Sequence, residues 1–154
     1  MNETFDYTKV PYDFDHCQQA QCPRADTCLR RLAAIHAPRT LPSMRTVNPN
    51  SLPANLAKCP YHLTTQKVRI AWGIKGFLNR LPLEDAKAIR RTLIQHFSKT
   101  HYYRLQRKER YLRPEEQEYI RQLFLRYNVT EEPAYEYYTE EYKWPTGSLR
   151  ESRR

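Results

Sequence analysis

Glycine is nearly missing from this chain, which has three in 154 residues against eleven prolines. So few glycines exclude the glycine-rich loops that cradle phosphates, and the balance with proline makes connections stiff rather than flexible. No apolar run is long enough to cross a bilayer and no lipidation signal stands at either end, so a membrane is not an expected partner. The opening residues Met1-Asn2-Glu3-Thr4-Phe5-Asp6 are acidic where a secretory leader would be basic and then apolar, and from this we expect a cytoplasmic protein. A Ser-His-Asp set and a His-Glu-x-x-His signature are also missing, so no residue is assigned a catalytic role.

Positive charge is what the chain has in excess: 26 Lys and Arg stand against 17 Asp and Glu, a formal net charge of +9. Such a balance favours acidic partners, nucleic acid first and an acidic protein second. At this length one cooperative domain over 1–154 is the expected organisation. Within it we distinguish a cysteine-rich segment (1–62), a basic helical region (66–128), and an acidic-aromatic arm with a frayed tail (129–154).

A reducing cytoplasm leaves thiols free for metal. Cys17, Cys22 and Cys28 follow one another closely, and Cys59 returns after a connection carrying prolines at 38, 42, 49 and 53. Four thiolates complete a tetrahedral zinc site, and zinc would pin a segment that prolines keep from long helices and central strands. His16 and His62 neighbour the set and are alternate ligands. The steps Cys22-Pro23 and Cys59-Pro60 keep an iron–sulfur cluster as the alternative to zinc. A nucleophilic cysteine paired with His16 or His62 is the third use, less favoured because clustering suits joint ligation.

Apolar periodicity predicts a mainly α fold of about four helices. A short amphipathic helix is expected over Pro23–His36, with Leu29, Leu32, Ala33 and His36 in phase. For 66–81 the pattern is double: Val68, Ile70 and Trp72 alternate as in a strand, while Ile70, Ile74, Phe77, Leu78 and Leu81 repeat as in a helix. We expect helix there. From Pro82, Glu84 and Asp85 suit a first turn, and Ala86, Ile89, Leu93 and Phe97 form one stripe. A short helix over Thr100–Arg107 follows, then one from Pro114 with Ile120, Leu123, Phe124 and Tyr127 on a face, closed by a left-handed Asn128 with Val129 packing back.

The order Ile89-Arg90-Arg91-Thr92-Leu93, Thr100-His101-Tyr102-Tyr103-Arg104-Leu105 and Pro114-Glu115-Glu116 resembles the helix-turn-helix of small bacterial and phage regulators. It departs from them at Lys108-Glu109, where a glycine often stands. The resemblance implies binding to double-stranded DNA or another nucleic acid, with Lys99, His101, Arg104 and Lys108 at the interface and Tyr102 and Leu105 turned inward. Over its whole length the chain resembles a family of small uncharacterised bacterial proteins, a domain of unknown function. The shared features are the Cys-Pro cluster, Ile-Arg-Arg-Thr-Leu-Ile, Tyr-Tyr-Arg, and Pro-Glu-Glu-Gln-Glu-Tyr-Ile-Arg with an acidic-aromatic end. Together these readings predict a metal-stabilised nucleic-acid-binding protein, with regulation as one use. The alternatives are an interaction module whose basic face meets an acidic protein, and an iron–sulfur or redox protein.

Overall fold

A computed structural model describes residues 4–145. The tail read as frayed lies, from residue 146 on, outside the described residues. The chain divides into two compact units, one built from the part up to Gln66 together with the chain from Tyr142, the other from Lys67–Glu141.

The first unit holds little regular structure. Asp6 opens a short 3-10 turn over Tyr7–Lys9 by accepting from the Thr8 backbone at 3.0 Å. Helix α1 spans Leu29–Ile35, buries Leu29 and Ala33 one turn apart, and ends three residues before Pro38, which cannot continue a helix. It starts later than proline at 23 predicts. Cys28 is extended at φ −106° and ψ 119° and pairs with Thr64 in an antiparallel bridge, while Leu29 N–H donates to Leu63 at 2.7 Å. Between Pro23 and α1, Ala25–Thr27 coils as a 3-10 turn.

The proline-rich connection forms two further 3-10 turns, Pro49–Ser51 and Leu56–Lys58. Asn48 and Asn55 cap them through side-chain carbonyls at 3.0 and 3.1 Å. Val10, Phe14, Leu29, Ala33 and Trp144 make the core, with the Trp144 ring edge-on to Phe14 at 5.0 Å.

In the second unit the expectation of a mainly α fold is corrected. Among the described residues there are four α-helices, one in the first unit and three in the second, but Lys67–Trp72 is strand β1, paired antiparallel with strand β2 at Tyr137–Tyr142. The protein is therefore mixed α and β, and the helix expected over 66–81 does not form. Gly73, at φ +80°, closes the helical route after Trp72. Opposite β1's other edge, Ala71 and Leu112 exchange backbone hydrogen bonds at 3.0 and 2.9 Å. The apolar residues that mimicked a helix beyond Gly73 sit in successive turns. Asn79 donates to Gly76 and Leu81 to Leu78, both at 3.2 Å, which brings Ile74 and Phe77 inward.

Helix α2 spans Leu83–Phe97 with Glu84 and Asp85 in its first turn and buries Ile89, Leu93 and Phe97 at four-residue spacing. Ser98 alone separates it from α3, Lys99–Gln106, which buries Tyr102 and Leu105. The missing glycine after α3 is replaced by Lys108 itself, in the left-handed region at φ 61°. Lys108 N–H donates to Leu105 and Glu109 N–H to Arg104, at 3.3 and 2.9 Å, the hydrogen-bond pair of a Schellman cap.

Helix α4, Pro114–Arg126, buries Ile120, Leu123 and Phe124, and Glu116 accepts from the Arg113 backbone at 2.9 Å. It ends the same way: Asn128 stands at φ 57°, and Val129 donates to Phe124 at 3.0 Å. These faces meet in one core, each fully buried Leu, Ile or Phe contributing about 1.5–3 kcal/mol.

Candidate metal centre and candidate nucleic-acid interface

All four cysteines line one cavity of about 20 Å³ in the first unit, room for roughly one water or one ion. Their thiols are free, Cys28 buried and the other three half-buried. Each comes from a different local structure. Cys17 donates its N–H to Arg30 at 3.1 Å, Cys22 precedes a Pro-Arg turn, Cys28 is the extended residue before α1, and Cys59 closes the Leu56–Lys58 turn. Val47, Leu52 and Leu56 supply the apolar wall.

The thiols surround the cavity without closing on a point. Among the described residues no three His, Cys, Asp or Glu groups stand near enough to hold an ion together. The Arg24 backbone N–H donates to the Cys22 sulfur at 3.4 Å.

Two arginines that the sequence reading passed over fasten the walls. Arg24 donates to the Ala57 carbonyl at 3.2 Å and to His62 Nδ1 at 2.7 Å. Arg30 donates to the carbonyls of Tyr61 at 2.8 Å and Asp15 at 2.8 Å. They join the same segments that a four-cysteine site would join. Nothing in their spacing signalled this, because their acceptors are mostly backbone carbonyls, which leave no trace in sequence.

The two histidines differ. His62 lines the cavity, its Nδ1 accepting from Arg24 and its Nε2 lying 3.4 Å from the Thr27 hydroxyl, and burial, followed by the Arg24 charge, lowers its pKa and so disfavours the cation. His16 is buried outside the cavity lining. Its Nε2 is paired with the Tyr7 hydroxyl at 2.8 Å and its Nδ1 with the Arg45 carbonyl at 2.9 Å. Both nitrogens are taken up in holding the N-terminal arm to the connection.

Of the residues expected at a nucleic-acid interface, Lys99 and His101 are exposed on the first turn of α3 and Arg104 is half-buried in its last. Lys108 lies beyond the helix end, in the cap, and pairs with Glu136 at 3.0 Å, which raises its pKa. It is not on the face that a continued helix would have given it. Tyr102 and Leu105 point inward as read. Behind them Arg90 of α2 donates to the Tyr103 hydroxyl at 2.9 Å.

A family model described as a family of unknown function, DUF6078, matches residues 1–144. The chain belongs to DUF6078. Neither a curated protein nor a solved structure matches it. The match runs through both units of the DUF6078 chain, so the cysteine cavity and the α2–α4 core fall within one family. Among the described residues of this DUF6078 member, no helix is long and apolar enough to cross a membrane.

Proposed function

We propose that this is a metal-stabilised nucleic-acid-binding protein, in which the thiolates of Cys17, Cys22, Cys28 and Cys59 hold zinc and the exposed side of α3 meets double-stranded DNA. One observation carries it: four cysteines spread from 17 to 59 line a single ion-sized cavity. A donor set of four sulfurs suits zinc, and zinc binding would supply the stabilisation that so small an apolar core lacks. His62 is the alternate ligand. A cytoplasmic location, a bacterial source and a Cys-Pro cluster common to the family belong to the same reading.

For the interface, Lys99 and His101 are exposed on α3, and its inward Tyr102 and Leu105 fix which side faces out. Lysine there serves phosphates, and Arg104 is the residue of α3 able to bond a guanine edge bidentately. The test is elemental analysis of freshly purified full chain with a visible spectrum, beside retention on a mixed DNA pool at near-physiological salt. One zinc per chain supports the metal half, whereas a brown chromophore replaces zinc by an iron–sulfur cluster. Lys99→Ala should weaken all DNA sequences alike, while Arg104→Ala should cost about 1–3 kcal/mol at one position. Absence of any retention on DNA or RNA overturns the interface.

A further inference from the structure

The second unit carries a surface cavity of about 410 Å³ between the turns after Gly73, the first half of α2 and the end of α3. Its floor is aliphatic, from Ile74, Leu78, Leu81 and Ala86, over the buried Tyr102. Lys75, Lys87 and Arg90 stand around it and are exposed, and among the described residues no carboxylate lines it. The volume lies within the range of functional binding pockets, and an apolar floor inside a ring of one charge sign is more than a solvated helix face offers.

We propose that this cavity docks an acidic amphipathic peptide segment of a partner protein, its aliphatic side chains entering the floor and its carboxylates meeting Lys75, Lys87 and Arg90. Two features select this occupant. The floor offers aliphatic surface and the aromatic ring beneath it is only 2% exposed, which suits leucine-like anchors and gives a nucleobase no face to stack on. Leu83, 67% exposed, lines the same cavity and carries its apolar surface out over the first turn of α2, the kind of open apolar edge that an amphipathic segment covers along its length.

Charge complementarity adds the rest. Lys87 pairs with Glu84 at 3.6 Å, an exposed pair with that carboxylate 86% accessible, which a partner carboxylate displaces at little cost. Arg90, which interacts with the hydroxyls of Tyr103 and Tyr102, has more donors on its guanidinium than those two contacts use. The inference goes beyond nucleic-acid binding at α3 and does not depend on it.

The experiment is selection from a displayed library of random 16-residue peptides on the full chain. Binding of the enriched synthetic peptides to the parent, Leu83→Ser and Arg90→Glu then follows by fluorescence anisotropy. Both substitutions are at exposed positions, and thermal melts of each variant check that the fold is kept. Enriched sequences that combine acidic residues with Leu, Ile or Phe, and that lose tenfold or more in affinity for each variant, support the site. Peptides lacking acidic residues, equal binding to parent and variants, or no enrichment overturn it. A single-stranded oligonucleotide that competes with the peptide, and that loses affinity with Arg90→Glu but not Leu83→Ser, also overturns it in favour of a nucleic-acid surface. Loss of DNA binding by Lys99→Ala with peptide binding intact shows the two surfaces to be separate.

Discussion

At the scale of single residues, the cysteine cavity depends on groups that are not cysteines. Arg30 reaches both Asp15 and Tyr61 with charged donors, so one guanidinium holds α1, the chain before Cys17 and the chain after Cys59 in place. Hydrogen bonds from a charged group typically contribute about 1.5–3 kcal/mol, less where water competes, and Arg30 is half-buried. Arg30→Met, which keeps the apolar stem, should cost about 1.5–3 kcal/mol in urea unfolding; an unchanged midpoint would show the contacts to be idle. His62 sets a pH dependence in the same place. Its folded pKa lies below 6.5 because burial and Arg24 disfavour the cation. The folded state therefore binds the proton less readily than the unfolded chain. Its contribution is complete above pH 6.5 and is lost as pH falls through the lowered folded value. Unfolding midpoints between pH 7.5 and 5 should decline in the parent and decline less in His62→Gln.

At the scale of elements, the 66–81 segment decides between the two periods that its sequence contains. Gly73 stands at φ +80°, and an added Cβ would lie 2.5 Å from the Glu136 side chain, whereas at Gly76 nothing lies within 4 Å. Were the segment a helix, Ala at either position would stabilise it by about 1 kcal/mol. With strand and turn, Gly73→Ala should destabilise by about 1–2 kcal/mol through backbone strain, and Gly76→Ala should be close to neutral. Equal gains at both positions would contradict the strand.

The helices α2 and α4 were legible because a long apolar stripe, an acidic first turn and, for α4, an Asn cap agreed with one another. Strand β1 was not, because its partner lies far along the chain: the Trp72 indole N–H reaches the Thr139 hydroxyl across 67 positions. Strand β2 read as an arm for the same reason, since most of its residues stay exposed and only pairing with β1 orders them. The cysteines pointed to one place by their clustering. The cap at Lys108 escaped notice because a lysine rarely adopts positive φ, and with it the displacement of Lys108 from the face of α3.

At the scale of the whole molecule, the two units are held by different means, and this yields the sharpest consequence of a metal site. The second unit has a core drawn from β1, three helices and the turns between them, and contains no cysteine. The first unit buries Val10, Phe14, Leu29, Ala33 and Trp144 under long irregular connections, and all four cysteines belong to it. Small cores of that kind usually need a staple. Metal removal by a strong chelator, in the presence of reductant, should therefore raise amide exchange at Leu29 and Ala33 and leave Ile89, Leu93, Ile120 and Leu123 protected. Trp144 is 3% exposed against Phe14, so its fluorescence should shift to the red as the first unit loosens. Truncation before Tyr142 removes Trp144 from that core, and should give the first unit's exchange pattern without any chelator. If chelation loosens both units together, the metal supports the second unit as well. If it changes neither while analysis finds no metal in the starting protein, the cysteines are ordinary thiols around an apolar cavity, and the Arg24 and Arg30 clamps hold the segment without a metal.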